Sequence, residues 1–219
     1  MWDSIPAHIQ PYVFGLMFVG GFLFGSIPWA YIVAKLVAGI DIRKYGSGNV
    51  GATNVARVLG LKWGTLVFLL DALKGFIPVF IVRLLVPYNV ELALVMALAP
   101  ILGHIFTPFL GFKGGKGVAT AVGAFAAITP VGVLIGFVVW ITTVLLTGWV
   151  SLGSLLGSLA VFLWILFFDP NRSSLLFVAV SGLVVAFIWV RHYGNIKRLL
   201  SGREPRIWDS RGKGRRDED

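Results

Sequence analysis

The sequence predicts an all-α integral membrane protein: a seven-span helical bundle with short loops, its amino terminus outside and its carboxyl terminus in the cytosol. Three observations carry this expectation. Of 219 residues, 57% are hydrophobic and 13% charged, against roughly half and a quarter in soluble domains, and a compact domain of this size cannot hide that much apolar side chain from water. Residues 118–168 contain no charged residue; as continuous helix they would reach about 77 Å, so the run must fold back. The 19 Lys and Arg residues fall almost entirely on one side once that run is divided into three.

Taken in order, residues 11–34 are uncharged and long enough to cross a hydrocarbon core of roughly 30 Å. The ten residues before them carry Asp3 and no Lys or Arg, unlike the basic start of a cleavable signal, so this span is expected to stay in the mature protein. A polar loop over 40–62 leads to a second span, 63–86, interrupted by Asp71, Lys74 and Arg83. A turn at 87–89 opens the third, about 90–110, which ends in the loop GFKGGKG at 111–117. Breaks at Thr129 and Pro130 and at 148–153 divide the uncharged run. Its first piece, 118–128, is only about 17 Å as helix, short enough to be a re-entrant half-span buried against the bundle. A last span over 173–190 leads into a basic segment, and from about residue 207 a mobile polar tail is expected. The chain reads as a single membrane-embedded domain, 1–219.

Seven spans place 16 of the 19 Lys and Arg on one side or at its edge, leaving Lys74, Arg83 and Arg172; six would carry the tail to the other side and break the positive-inside pattern. The absence of cysteine excludes disulfides, thiolate metal sites and a cysteine nucleophile. A formal charge of +9 could suit nucleic acid, but cations gathered at one membrane face account for it, and no nucleic-acid partner is expected.

Three clusters can carry chemistry. In KYGSGNVGATNVARVLG, residues 44–60, glycines 46, 48 and 51 match GxGxxG, but they follow a membrane span and lack the βαβ context that gives that motif meaning. An anion site remains: exposed backbone N–H groups, short donors from Ser47, Asn49, Thr53 and Asn54, and the guanidinium fork of Arg57. The plain alternative is a polar turn. In GHIFTPFLGFKGGKGVAT, residues 103–120, Lys113 and Lys116 flank Gly114 and Gly115 ahead of a helix whose amino end would face a bound anion. No Ser or Thr follows Lys116, so this is not a nucleotide-binding P-loop; two lysines obeying the positive-inside pattern are the alternative. In RHYGNIKRLLSGRE, residues 191–204, His192 and Asn195 would share a helix face, the histidine able to take a proton and the amide to orient and donate. A basic helix lying on anionic lipid needs no such chemistry.

Around these clusters, Asp71 and Lys74 share a face and can pair; each costs roughly 2.5–3.5 kcal/mol at mid-membrane on insertion scales, so a polar cavity or network is expected there. His104, at the apolar end of the third span, is structural or catalytic. With Ser151 in VSLGS, the clusters meet at one membrane face. Donors and cations dominate, which suits phosphate-bearing substrates, and carboxylates are too few for a divalent metal cage, so no metal is expected.

GSGNVGATNVAR, GHIFTPFLGFKGGKGVAT and HYGNIKRLLSGRE, with DALKG at 71–75 and VSLGS around Ser151, resemble in order and over nearly the whole chain the motifs of the bacterial acyl-phosphate:glycerol-3-phosphate acyltransferase family. The resemblance implies a multi-pass enzyme of the bacterial inner membrane, its site facing the cytosol, that moves a fatty acyl group from acyl phosphate to the sn-1 hydroxyl of glycerol-3-phosphate and makes lysophosphatidic acid for phospholipid synthesis. It implies no cofactor, two small-molecule substrates, contact with membrane lipid and compatibility with a monomer. None of the three histidines has Asp five positions later, so the HxxxxD dyad of other glycerolipid acyltransferases is absent. The expected roles are His192 with Asn195 placing the acceptor hydroxyl and Ser47 as a donor to the reacting groups. Phosphates would be held by Asn49, Thr53, Asn54, Arg57, Lys113, Gly114, Gly115, Lys116 and Ser151. Asp71, Lys74 and His104 would support them, and Glu204 would fix the tail by pairing with an arginine. The competing classes are a transporter of a phosphorylated solute, which would need polar access from both sides, and a lipid-binding scaffold, which leaves the glycine motifs unexplained.

Overall fold

A computed structural model describes residues 5–209. Among them the chain forms ten α-helices and no strand. The first apolar stretch is two helices, α1 (Gln10–Gly25) and α2 (Trp29–Ala38). The stretch still counts as one span, Gln10–Ala38, but its helix breaks at 26–28, because Pro28 has no N–H to give and disfavours the helical conformation at the residue before it. The break has a use, since it frees the carbonyl of Ile27, which accepts from Lys74 Nζ at 2.7 Å.

The loop after α2 turns at Gly39 in the left-handed conformation (φ +70°) and makes a single turn over Ile42–Lys44 capped by the Asp41 carboxylate. It then enters α3 (Ala52–Leu59), a short amphipathic helix that leads through Gly60 into the 25-residue α4 (Leu61–Leu85). Helix α5 (Val90–Ile105) is capped by Asn89, whose side chain accepts from Leu92 N–H at 2.8 Å. Next come α6 (Val118–Ala126), α7 (Pro130–Thr147) and α8 (Val150–Phe167), with breaks at Pro130 and at Gly148, where φ is +77°. Helix α9 (Leu175–Arg191) bends by 60° into α10 (Tyr193–Leu200) at His192.

Five helical stretches are long and apolar enough to cross a membrane, the α1–α2 pair counting as one, and a sixth when α9 and α10 are taken together. Helix α6 has 9 residues, about 13 Å, less than half the hydrocarbon thickness. It is held in backbone contact with α4: a Cβ at Gly75 would run into the carbonyl of Thr120, and one at Gly123 into the carbonyl of Ala72. The core is built mainly by α4, α5, α6 and α9. Outward faces are apolar instead of polar, with Leu16, Leu146 and Leu183 well exposed, the pattern of a protein whose solvent is lipid. The polar tail expected from about 207 begins docked, the N–H of Ile207 donating to the carbonyl of Gly148 at 2.9 Å; residues 210–219 of that expectation lie outside the described residues.

Candidate active site

Distant segments of chain enclose one cavity of about 1210 Å³. All but four of the expected site residues line it; the exceptions are Lys113, Gly114, Gly115 and Lys74. The amino ends of α3, α6 and α8 all reach it, at Ala52, Val118 and Val150, so three sets of backbone N–H groups and helix dipoles favour negative charge there. Arg43, Arg57, Lys116, Arg191, Arg198 and Arg203 add cations to the wall, against Asp71, Glu204 and Asp209.

The 44–60 loop owes its shape to Asn54. Its side-chain oxygen accepts from Ser47 N–H at 2.8 Å, and its amide donates to the carbonyls of Tyr45 and Ile42 at 3.1 and 3.3 Å. Buried and fully engaged, Asn54 folds the loop and offers no free donor to a phosphate. Gly46 and Gly48, at φ +54° and +70°, make the turns that a side chain would strain. Ser47 Oγ accepts from Asn49 N–H at 3.4 Å and stays at the cavity with Asn49, Thr53 and Arg57.

The glycine loop at 111–117 departs from its expected role. The N–H groups of Gly114 and Gly115 donate to the carbonyls of Ile105 and His104, at 3.0 and 3.2 Å, and so are closed to an anion. A Cβ at either would strike the backbone or ring of His104; the two glycines let the loop lie flat over the end of α5. Their carbonyls accept from the guanidinium of Arg191, Gly115 at 3.0 Å. Lys113 is exposed and away from the cavity. Gly117, at φ +83°, turns the chain so that Lys116 alone is delivered to the site.

Lys116 Nζ donates to Asn195 Oδ1. Asn195 Nδ2 donates to Glu204 Oε1 at 2.6 Å, Ser151 Oγ donates to the same oxygen at 2.7 Å, and Arg198 Nε donates to Oε2 at 2.7 Å. Glu204 is therefore the hub, its backbone carbonyl also accepting from Trp149 Nε1 at 3.1 Å. Burial alone would raise its pKa, but the bonds from Ser151, Asn195 and Arg198 outweigh that and hold it below the usual carboxylate range. Ser151 and Asn195 line the cavity and are also members of this network, which positions Lys116.

His192 lines the cavity where α9 bends. Its Nδ1 lies 2.8 Å from the carbonyl of Ile188, which can only accept, so Nδ1 carries the proton and Nε2 is left as an acceptor. Burial, reinforced by Lys116, pushes this imidazole down to about 4, and it is neutral at physiological pH. Lys116 is pushed down by burial to about 8. In the cavity wall Asp71 lies 3.6 Å from His104 Nδ1, and it pairs with Lys74, behind the wall, at 2.8 Å.

Four residues the sequence analysis did not single out matter here: Arg43, Arg191, Arg198 and Trp149. Arg191 and Arg198 flank His192 and Asn195 in one motif, a signal that was present; Trp149 acts through a contact with Glu204 that no local pattern announces. The cavity also continues downward. Phe68, Val118, Trp140 and Ser154 line both it and an apolar groove between α6, α7, α8 and α9. Helix α8 faces the groove with Ser154, Gly157, Ser158, Val161, Phe162 and Ile165, one stripe at helical spacing.

A helical membrane bundle with a cationic cavity opening onto an apolar groove is the class of protein suited to a phosphate-bearing amphiphile. Comparison with known proteins narrows this. Residues 15–202 match the family model described as glycerol-3-phosphate acyltransferase, and the chain belongs to that family. It is 44% identical over 196 residues to glycerol-3-phosphate acyltransferase 2 of Bacillus anthracis, covering 88% of this chain and 98% of the relative. It is 46% identical over 186 residues to the glycerol-3-phosphate acyltransferase of Aquifex aeolicus, covering 85% and 95%. Among solved structures it resembles PlsY, an integral membrane glycerol 3-phosphate acyltransferase. The likeness to the glycerol 3-phosphate form has a TM-score of 0.83 and 43% identity, covering 89% of this chain and 95% of that one; to the lysophosphatidic acid form the TM-score is 0.81. With its apolar helices, the chain is a multi-pass membrane protein.

Proposed function

We propose that the protein acylates glycerol-3-phosphate at its sn-1 hydroxyl, taking the fatty acyl group from acyl phosphate and releasing lysophosphatidic acid and inorganic phosphate, as an early step of phospholipid synthesis. The observation that carries this reading is the junction itself: a cavity built for phosphate, with His192 in its wall, continuous with a groove suited to an alkyl chain. One molecule of acyl phosphate fits that junction with its head among the cations and its tail between α6, α7, α8 and α9; glycerol-3-phosphate needs only the polar half. Relatives and solved structures carrying the glycerol-3-phosphate acyltransferase name support the acceptor.

In this mechanism Arg57 and Lys116, with the amino ends of α3 and α6, hold the two phosphates and set the acceptor hydroxyl against the acyl carbonyl. The hydroxyl oxygen attacks the carbonyl carbon, the bond from that carbon to the phosphate oxygen breaks, and phosphate leaves. His192 Nε2 accepts the hydrogen bond of the attacking hydroxyl. The proton ends on the departing phosphate, because a phosphate with a pKa near 6 is a stronger base than an imidazole held at about 4. Ser47 donates to the reacting oxygens. The reaction is a direct transfer and as written needs no cofactor.

The site faces the cytosol of a bacterial inner membrane in this reading. The chain makes seven passes, α6 and its flanks forming the short one, with the amino terminus outside; the gathering of cations at one end supports that orientation. The test is an assay of the purified protein with glycerol-3-phosphate and either palmitoyl phosphate or palmitoyl-CoA, with excess EDTA. Lysophosphatidic acid from the acyl phosphate alone is expected. Product from the thioester, or none from either donor with folded protein, overturns the proposal, and the second result points to flux measurements for a carrier.

A further inference from the structure

The groove has a definite depth. On α8 its stripe starts at Ser154, which also lines the polar cavity, and ends eleven residues on at Ile165, about 16 Å along the helix. On α9 the same interval separates His192 at the cavity from Ser181 at the far end. At that depth Ile165 is 1% exposed and joins Phe125, 5% exposed, in the buried core. Two helices that reach the same level, and a core that closes there, make a floor.

We propose that Ile165 is this floor and sets the length of acyl chain the enzyme accepts. The inference rests on the reading that the groove takes the acyl group. An extended hydrocarbon advances about 1.25 Å per carbon, from a C–C bond of about 1.5 Å at a near-tetrahedral angle, so the groove holds about 13 carbons. Adding the carbonyl carbon and its neighbour or two on the cavity side gives a capacity of about 15 to 16. A longer chain must bend out toward lipid or displace Ile165; a shorter one leaves apolar wall uncovered, at about fourfold in kcat/KM per methylene.

Two variants test this against a series of acyl phosphates from ten to eighteen carbons. Ile165→Ala deepens the groove and should raise the ratio of kcat/KM for stearoyl over palmitoyl phosphate about fifteenfold, two methylenes' worth. Val185→Phe narrows the groove seven residues, about 10 Å, below His192 and four residues above the level of Ser181, and should keep decanoyl phosphate within threefold of wild type while losing palmitoyl phosphate at least tenfold. Retained decanoyl turnover doubles as proof of folding; if Val185→Phe does not fold, Ile165→Ala decides alone. An unchanged profile in Ile165→Ala, or an equal loss at every length in folded Val185→Phe, overturns the ruler and leaves acyl transfer standing. Absence of product from every acyl phosphate with the wild-type protein would instead sink the underlying reading.

Discussion

Lys116 is drawn down to about 8 by burial, with Arg57, Arg191 and Arg198 nearby and Glu204 opposing. A lysine is cationic below its pKa and neutral above it, so its attraction for phosphate is present at pH 7 and lost as pH rises through about 8. The KM for glycerol-3-phosphate should therefore climb above pH 8, and Lys116→Arg, whose guanidinium stays charged, should move that limb up by at least one unit; an alkaline limb unmoved by the substitution would exclude Lys116 as its source. At this scale the sequence was legible in part. Polar residues inside an apolar chain mark themselves, which is why Ser47, Arg57, Lys116 and His192 could be read directly. Which of two lysines reaches the site could not be, because that depends on the φ of Gly117. Nor could the engagement of Asn54, Ser151 and Asn195, since each is used by a partner between 7 and 53 residues away.

Among the helices, α4 is the one on which the site is assembled. It packs backbone to backbone on α6 through Gly75 and Gly123 and reaches the break between α1 and α2 through Lys74. Lys74→Met would leave Asp71 charged in a buried site and take from the Ile27 carbonyl the shorter of its two hydrogen bonds, leaving that from Trp29 N–H. Breaking a buried pair from one side costs about 3 to 5 kcal/mol, so thermal unfolding in detergent should show a large loss. Asp71→Asn with Lys74→Met should recover part of it, because the two changes are coupled. Additive losses in the double variant would mean that the pair does not act as a unit. Helix boundaries at Pro130 and Gly148 were readable from the residues that make them. The break at Pro28 was hidden in an uncharged run, its purpose visible only once Lys74 is seen to use the carbonyl it releases. The groove escaped notice for a related reason: its stripes belong to four helices, and each alone looks like ordinary core.

At the scale of the whole molecule, the chain brings segments from residues 43 to 209 to one end of the bundle, and the proposed seven-pass arrangement puts the loops at Tyr88 and Ser173 on the other side. Because the sequence has no cysteine, single replacements report sidedness cleanly: Lys113→Cys and Arg203→Cys should react with an impermeant thiol reagent only from the cytosol, and Tyr88→Cys and Ser173→Cys only from outside. Labelling of Ser173→Cys from the cytosol would remove the seven-pass arrangement. His192 is where the assembly can be tested at one point, since it closes α9, opens α10 and faces the cations brought by α3 and α6. The decisive measurement is His192→Ala, with turnover of palmitoyl phosphate and binding of glycerol-3-phosphate measured on the same folded sample. Loss of an atom that holds the attacking hydroxyl should lower kcat about 100-fold or more while the dissociation constant for glycerol-3-phosphate stays within about twofold. Wild-type turnover in that variant would contradict the account and take His192 out of the reaction.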